Sequence, residues 1–529
     1  MNNKYKQGQD RVQPLLFPPS IDDYVDENNP VRVIESYIDI LDLDELGFED
    51  TRKSKSNNGQ KAYKPSLLLK IYIYGYINKI RSSRALEKEI KRNIELIWLT
   101  YGLTPSYHTI SDFRKNNPKA LKQVFKEFVI LCKNINLIDG RLTAVDGAYL
   151  RANASKNQLI MKSTLTKDLK SISNEIEEYF KILDYSDNEK QPLDLLSKLP
   201  KDLRKLKHQQ KDLSDNLELL ESMGKTQYNK TDPDATLMKK PAHSLMAYNS
   251  QIVVDSTFKF IVATDVFSQS NDSDKLYIMA TETKNILELD NLTITADKGY
   301  DSAVGIKQCI ENNINPIVPR SKKEQPNKDK YSRNKFIYNA EQDYYVCPNN
   351  KQLTKSTIIQ NKRGKVNFLY KGSNLICKSC LLKDKCLPSK TPYKKLFRWE
   401  SEDIIEEHIK KIKSKKSKNI IKRRGSIVEH PFGTIKRTLG WDHFLVRGKS
   451  KVSGENALIM FTYNFKRLLN LIGITLFKKL ILAIKEGDIK QITRDIEEYI
   501  LSFSTYLAYF LQIIFMIQFY QQRFKRIVK

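Results

Sequence analysis

A chain of 529 residues and 61.6 kDa is too long for one core and, at roughly 150 residues per domain, accommodates two to four domains. Hydrophobic residues make up 40% and aromatics are plentiful (27 Tyr, 22 Phe, 3 Trp), which excludes a wholly disordered chain. The 90 Lys and Arg against 62 Asp and Glu leave a formal charge of +28, so polyanions are the natural partners. An AT-rich coding bias also raises Lys, Asn, Ile and Tyr, but it does not explain why positive charge clusters. Six cysteines and the lack of a charged-then-apolar leader point to a reducing, cytoplasmic setting without disulfides.

Residues 1–60 read as an extended, linker-like region: a Pro-rich start (LLFPPS), an acidic amphipathic piece (YIDILDLDELGF) and a polar linker (TRKSKSNNGQ). Residues 61–138 carry three amphipathic patterns (KPSLLLKIYIYGYINKI, SSRALEKEIKRNIELIWLTYG and HTISDFRKNNPKALKQVFKEFVILCKNINLI), with Pro65 near a helix start and Thr109-x-x-Asp112 as a capping-box-like start. The resulting small helical domain carries Arg81, Arg84, Lys88, Lys91, Arg92, Arg114 and Lys115. It is either a DNA reader of helix-turn-helix type or a scaffold with solvated charges.

Residues 139–470 alternate between strand and helix patterns. The strand RLTAVDGAYLRA comes first, then a charged helical insertion over 156–230. A hairpin follows around Asp255-Ser-Thr, then SDKLYIMATETKNIL, NLTITADKGYDS, AVGIKQCIEN and INPIVP in βαβα order. That order implies an α/β fold with a mixed sheet flanked by helices. A Cys-rich insertion over 320–400 holds Cys347, Cys377, Cys380 and Cys386, spaced C-x29-C-x2-C-x5-C. This order suits a structural Zn²⁺ site, because CxxC places two sulfurs on one knuckle. Redox chemistry or unbound thiols are the alternatives, and Cys132 and Cys309 read as core residues. Residues 471–529 form a helical tail. Leu501–Tyr520 is uncharged for about the length of a bilayer span, but Ser502, Ser504, Thr505, Gln512 and Gln518 favour a buried or self-associating helix, so no membrane partner is expected.

Three carboxylates carry the chemistry. Asp146 and Asp297 each end a hydrophobic strand (LTAVD, LTITAD) and are followed within two residues by glycine, where open α/β sheets bind ligands. Two such acids together repel unless a divalent cation such as Mg²⁺, which favours oxygen ligands, lies between them. Glu429, on a helix pattern in SIVEHPFGTIKRTLG, supplies a third ligand, and paired metal ions activate an attacking hydroxyl and stabilise the leaving oxygen in phosphoryl transfer. Upstream of it, nine of the fifteen residues from Lys410 to Arg424 are Lys or Arg. Asp301 is a rival ligand near Asp297. Asp232 and Asp234 shape a turn or orient ligands, His430 reads as structural or as a donor behind the ligands, and Glu455 opens an amphipathic helix.

The segments AVDGAYLRANAS, DPDA, AYNSQIVVDS, ITADKGYDS, VEHPFGTIKRTLG and FLVRGKSKVSGENALIMFTYNFKRLL resemble the DDE-type transposases of bacterial insertion sequences over most of residues 60 to 470. That resemblance implies a ribonuclease-H-like catalytic domain in which Asp146, Asp297 and Glu429 hold two Mg²⁺ or Mn²⁺ ions. It also implies that Lys436, seven residues after Glu429, contacts DNA near the scissile phosphate, with Arg424, Arg437, Arg114 and Arg447 as further DNA-contacting cations. The arginine that the family carries four residues before Glu is displaced: Gly425 stands there, and Arg424 lies five before. The implied partners are double-stranded DNA at terminal inverted repeats and at the target, and a second copy of the chain in a synaptic homodimer near the nucleoid. A metal-dependent nuclease of the same fold and a domesticated DNA-binding protein are the competing readings.

Overall fold

The computed structural model describes residues 20–48, 62–188, 203–239, 244–320, 330–360 and 366–502. The Pro-rich start up to 19, the linker TRKSKSNNGQ and all but the first two residues of 501–520 lie outside them. The chain divides into two compact units, one of residues 1–270, 282–289 and 426–529, the other of 271–281 and 290–425.

Unit one opens with α1 (Pro30–Ile38), whose Val31, Val33, Ile34, Tyr37 and Ile38 are buried. The acidic piece after it also joins the core through Leu46 and Phe48, so it is less loosely structured than its composition suggests. Five helices follow where three amphipathic runs are predicted: α2 (Pro65–Ile77), α3 (Ser83–Ile90), α4 (Ile94–Leu99), α5 (Tyr107–Asn116) and α6 (Pro118–Asn134). The extra breaks have local causes. The Asn93 side chain accepts from Glu95 N and Leu96 N to start α4, and Pro118 occupies the first position of α6. Ser106, not Thr109, caps α5, accepting from Thr109 N at 3.3 Å.

Strand β1 (Thr143–Arg151) leads to a short two-stranded neck, β2 (Leu159–Met161) paired with β3 (Gln227–Asn229). Between these two strands the chain forms α7 (Lys162–Asn188) and α8 (Leu203–Ser222), the helical insertion expected at 156–230. Three further strands follow: β4 (Thr236–Lys239), β5 (Ser244–Asp255) and β6 (Ile261–Phe267). The β5 strand pairs antiparallel with the whole length of β1, Asp255 opposite Thr143 and Ala247 opposite Arg151. Its other edge is shared by β4 near its start and β6 near its end. Being central, β5 is buried from Met246 to Asp255.

In unit two, α9 (Lys275–Ile286) begins and then passes into unit one. A parallel pair, β7 (Leu292–Thr295) and β8 (Ile314–Ile317), is joined through α10 (Ala303–Glu311), as the βαβα pattern predicts. The Cys-rich insertion is an antiparallel sheet of β9 (Ile337–Asn339), β10 (Tyr344–Val346), β11 (Gln352–Gln360), β12 (Val366–Lys371) and β13 (Lys395–Trp399). Short helices α11 (Asn374–Lys378) and α12 (Lys383–Cys386) lie between its last two strands. Its small core is Phe336, Tyr345, Leu353, Tyr370 and Leu396. Then come α13 (Glu402–Ile412) and α14 (Lys415–Gly433), whose last turns re-enter unit one.

Unit one closes with α15 (Lys449–Glu486), which has non-helical backbone at Gly473, and a helix over 490–502. Every residue of α15 from Val452 to Phe465 is buried. Tyr37, Phe128, Phe461, Phe465 and Phe477 form one aromatic cluster around it, with Tyr37 and Phe128 edge to face at 5.3 Å. Polar side chains fix its register. Asn464 brackets Ile261, accepting from its N–H at 2.9 Å and donating to its carbonyl at 2.7 Å, while Asn456 joins Ser250 to Thr264, each at 2.7 Å.

Candidate functional site

Asp146 lies within β1, not at its end, because β1 stays paired with β5 as far as Arg151. Its Oδ1 accepts from Gly147 N at 2.9 Å and the side chain is half-buried. Gly147 does not stop the strand either. A Cβ there would meet the side chains of Gln251 and Asn249, so the glycine makes room for the amide pair beneath it.

Asp297 stands two residues beyond β7, half-buried, where the chain turns. Its Oδ1 accepts from Gly299 N at 2.7 Å. A Cβ on Gly299 would lie 2.9 Å from that oxygen and 3.8 Å from Asp272 Oδ2, so a second carboxylate borders the same turn. The only sequence signal for Asp272 is the polar run QSNDSD. The side chain of the rival Asp301 is 3% exposed and paired with Arg320 Nη1 at 2.5 Å.

Glu429 is exposed on α14, two residues before Pro431, which sits inside the helix and offers no N–H. Neighbouring His430 has Nδ1 3.1 Å from Tyr463 Oη, and that hydroxyl donates to Lys259 O at 3.0 Å. Since the single tyrosine proton is used there, the imidazole donates, and burial beside Arg467 and Lys259 holds its pKa below the ordinary value. Of the two readings of His430, the Tyr463 contact favours the structural one. After Gly433 the chain makes a π-helical turn, Thr434–Thr438, so α-helical i, i+7 spacing does not place Lys436. The Lys436 ammonium lies 5.4 Å from the Phe432 ring. Arg437 and Arg447 are exposed, and Arg447 Nε donates to Asn153 O at 3.0 Å; Arg424 is half-buried on α14.

Arg114 does not fit the DNA-contact role expected of it. It is 4% exposed, with Nη1 3.3 Å from Glu455 Oε1 and 3.0 Å from Tyr76 Oη, and its guanidinium faces the Tyr72 ring at 5.3 Å. Arg81 is likewise turned inward, 3.4 Å from the same carboxylate oxygen. Burial alone would raise the Glu455 carboxyl, but Arg114 and Arg81, with the N–H groups of Leu445 and Val446, hold it below its ordinary value. Other helical-domain cations pair with acids three or four residues away, Lys91 with Glu87, Arg92 with Glu89 and Lys115 with Asp112. The basic face of this domain is therefore smaller than its composition suggests.

In unit two, Cys347, Cys377, Cys380 and Cys386 line one cavity of about 30 Å³. The Cys347 Sγ accepts from Lys351 N and the Cys380 Sγ from Asn349 Nδ2, both at 3.4 Å. Burial pushes the Cys386 thiol up, Lys394 draws it down, and the other three sulfurs add to the rise. Among the described residues, however, no three His, Cys, Asp or Glu side chains close into a finished metal-binding group. No described helix is long and apolar enough to cross a membrane.

Comparison with known proteins adds two family matches. The model of a family described as a transposase domain (DUF772) matches residues 19–116, and that of a family described as a transposase DDE domain matches residues 346–469. The second range includes Glu429, Lys436 and the four cysteines; Asp146 and Asp297 fall outside both. No curated protein matches the sequence. A solved structure described as the synaptic complex of piggyBac transposase with hairpin DNA aligns over 90% of this chain and 80% of that one, at 10% identity and a TM-score of 0.31, a likeness too low to carry the fold.

Proposed function

Because the chain resembles the DDE transposases of insertion sequences and carries transposase domains over residues 19–116 and 346–469, we propose that it binds the terminal inverted repeats of its own element, cuts the DNA there and joins the freed 3′ hydroxyls to a target. The match over residues 346–469, which contains Glu429 in VEHPFGTIKRTLG, is the observation that carries this reading. In the proposal the catalytic domain is ribonuclease-H-like. The antiparallel set around β5 and the parallel pair β7 and β8 supply both strand senses that such a mixed sheet needs.

Asp146, Asp297 and Glu429 are the acids proposed to hold two Mg²⁺ or Mn²⁺ ions. The donor set suits hard cations, being all carboxylate oxygen. When bound, such ions activate a hydroxyl nucleophile and offset charge on the leaving oxygen. The residues' own part is positional: Gly147 N and Gly299 N each hold one carboxylate oxygen of Asp146 and Asp297 in a fixed direction. Lys436, Arg437, Arg447 and Arg424 are proposed to grip phosphates, and two copies of the chain to bring two DNA ends together. Cys347, Cys377, Cys380 and Cys386, which line one cavity, are the residues that would hold a structural zinc; purified protein is then expected to carry about one zinc per chain, lost on Cys377→Ser with Cys380→Ser.

Asp297→Asn tests the catalytic reading. The variant is expected to bind terminal-repeat DNA like the wild type and to lose Mg²⁺-dependent nicking; nicking at the wild-type rate would remove Asp297 from the site. Supplying pre-cut 3′-hydroxyl ends with a target plasmid separates a transposase, which yields joined products, from a nuclease of the same fold.

A further inference from the structure

Glu455, wholly buried near the start of α15, divides its two oxygens between different partners. Oε1 accepts from Tyr76 Oη at 3.0 Å and meets Arg81 and Arg114, all from the helical region of α2 to α5. Oε2 accepts from Leu445 N at 2.8 Å and Val446 N at 3.2 Å, in the segment 441–447 that leads into α15. That segment is a strap, fastened along its other edge to the end of β1. Arg151 N donates to Asp442 O at 2.9 Å, Phe444 N donates to Arg151 O at 2.8 Å, and Asn153 Nδ2 donates to Leu445 O at 2.8 Å. Arg81 Nη2 also donates to His443 O, and Trp441 packs against Tyr76 at 5.0 Å.

Two guanidinium groups share one carboxylate here, and the buried Nε of Arg81 and of Arg114 have no partner among the described residues. As a source of stability this is a poor arrangement, since apolar side chains of similar volume fill such a space without the desolvation of three charges. What a carboxylate does that they cannot is accept on two sides at once.

We propose that Glu455 is a positioning residue for phosphoryl transfer: it locks the strap 441–447 between the helical region and the end of β1, the strand that carries Asp146. The proposal rests on the transposase reading, with Asp146 as a metal-holding acid. It concerns the setting of β1, not contact with DNA.

Two double variants of the full chain separate the strap from the charge. Arg114→Met with Glu455→Gln and Arg114→Met with Glu455→Met leave the cluster with the same net charge as the wild type, but only glutamine can still accept from Leu445 and Val446. Under single-turnover conditions with terminal-repeat DNA and Mg²⁺, the Gln variant is expected to cleave within about threefold of the wild type, and the Met variant about tenfold slower or more, with DNA affinity changed little in either. The amides of 442–446 are expected to exchange faster with solvent in the Met variant, compared at temperatures equally far below each melting point. Asn153→Ala, on the surface, removes one of the three bonds along the other edge of the strap without touching the core and is expected to slow cleavage at an unchanged melting temperature. Equal cleavage rates in the two double variants, or an Asn153→Ala protein that cleaves at the wild-type rate, would overturn the proposal. If the wild type itself fails to cleave, the transposase reading falls, and amide exchange alone decides whether Glu455 holds the strap.

Discussion

His408 shows what burial does to one side chain. It is 2% exposed in unit two, its Nε2 3.0 Å from Val318 O, and burial, with Arg320 and Lys411 nearby, holds its pKa below the ordinary value against the opposing pull of Val318 O and Asp301. A histidine whose folded pKa is depressed favours the neutral ring. Its contribution to stability is present above the unfolded pKa of about 6.5 and is lost as pH falls through the folded value. His408→Gln keeps a donor for Val318 O but does not titrate, so its denaturation midpoint should fall less than the wild type's on acidification from about pH 7.5 to pH 5.5. Equal falls would show that other groups carry the acid sensitivity. At this scale a local signal singles out candidates: Asp146, Asp297 and Glu429 each follow a short run of hydrophobic residues, although β1 continues past Asp146 and α14 past Glu429. Arg114 and Glu455 are separated by 341 positions, and nothing around either announces the other, so a buried ion pair read as a surface cation and a helix-start acid.

Helix α15 meets α6 at a glycine. A Cβ on Gly454 would lie 2.5 Å from Pro118 Cα and 2.8 Å from its Cβ, in backbone that cannot easily give way. Gly454→Ala should therefore cost about 1 to 3 kcal/mol by overpacking, seen as a lower urea midpoint at an unchanged slope. An unchanged midpoint would mean that α6 and α15 shift apart freely. In the sequence this glycine only weakens a helix pattern, because the close approach it permits belongs to another element. Elements as such were largely legible: β5, β6, α9, β7, α10 and β8 fall where periodicity puts them. Boundaries were not, since the apolar period runs on across Asn93 and Asn117 although capping and proline geometry divide the helices there. The strand β1 outlasts Asp146 for the opposite reason: nine residues of pairing with β5 outweigh one glycine.

Across the whole molecule the charge of +28 is unevenly spread, and on α14 the side chains of Lys415, Lys416, Lys418, Lys422 and Arg423 are all exposed. If this stretch holds DNA phosphates, affinity falls with salt at a logarithmic slope of about 0.9 per contacted phosphate. Replacing Lys415, Lys416, Lys418 and Lys422 with Gln should then lower both affinity at low salt and that slope, measured by titration of labelled terminal-repeat DNA over a range of KCl concentrations. An unchanged slope would move the footprint elsewhere. Charge totals alone could not say which cations are available, because Arg81 and Arg114 count toward +28 yet face inward.

The neck of β2 and β3 has a consequence for how this chain tolerates change. Met161 lies opposite Gln227, and Lys162 N donates to Thr226 O at 3.0 Å, so everything between Lys162 and Thr226 leaves and returns through a gap one strand spacing wide, about 5 Å. Among the described residues, Leu165 and Leu220 of that insert also pack on Tyr228 and Ile160 of the neck. The hairpin is thus a cassette: a tight turn could close the neck in its place, or a foreign module be spliced in, while β1 and β5 keep their register.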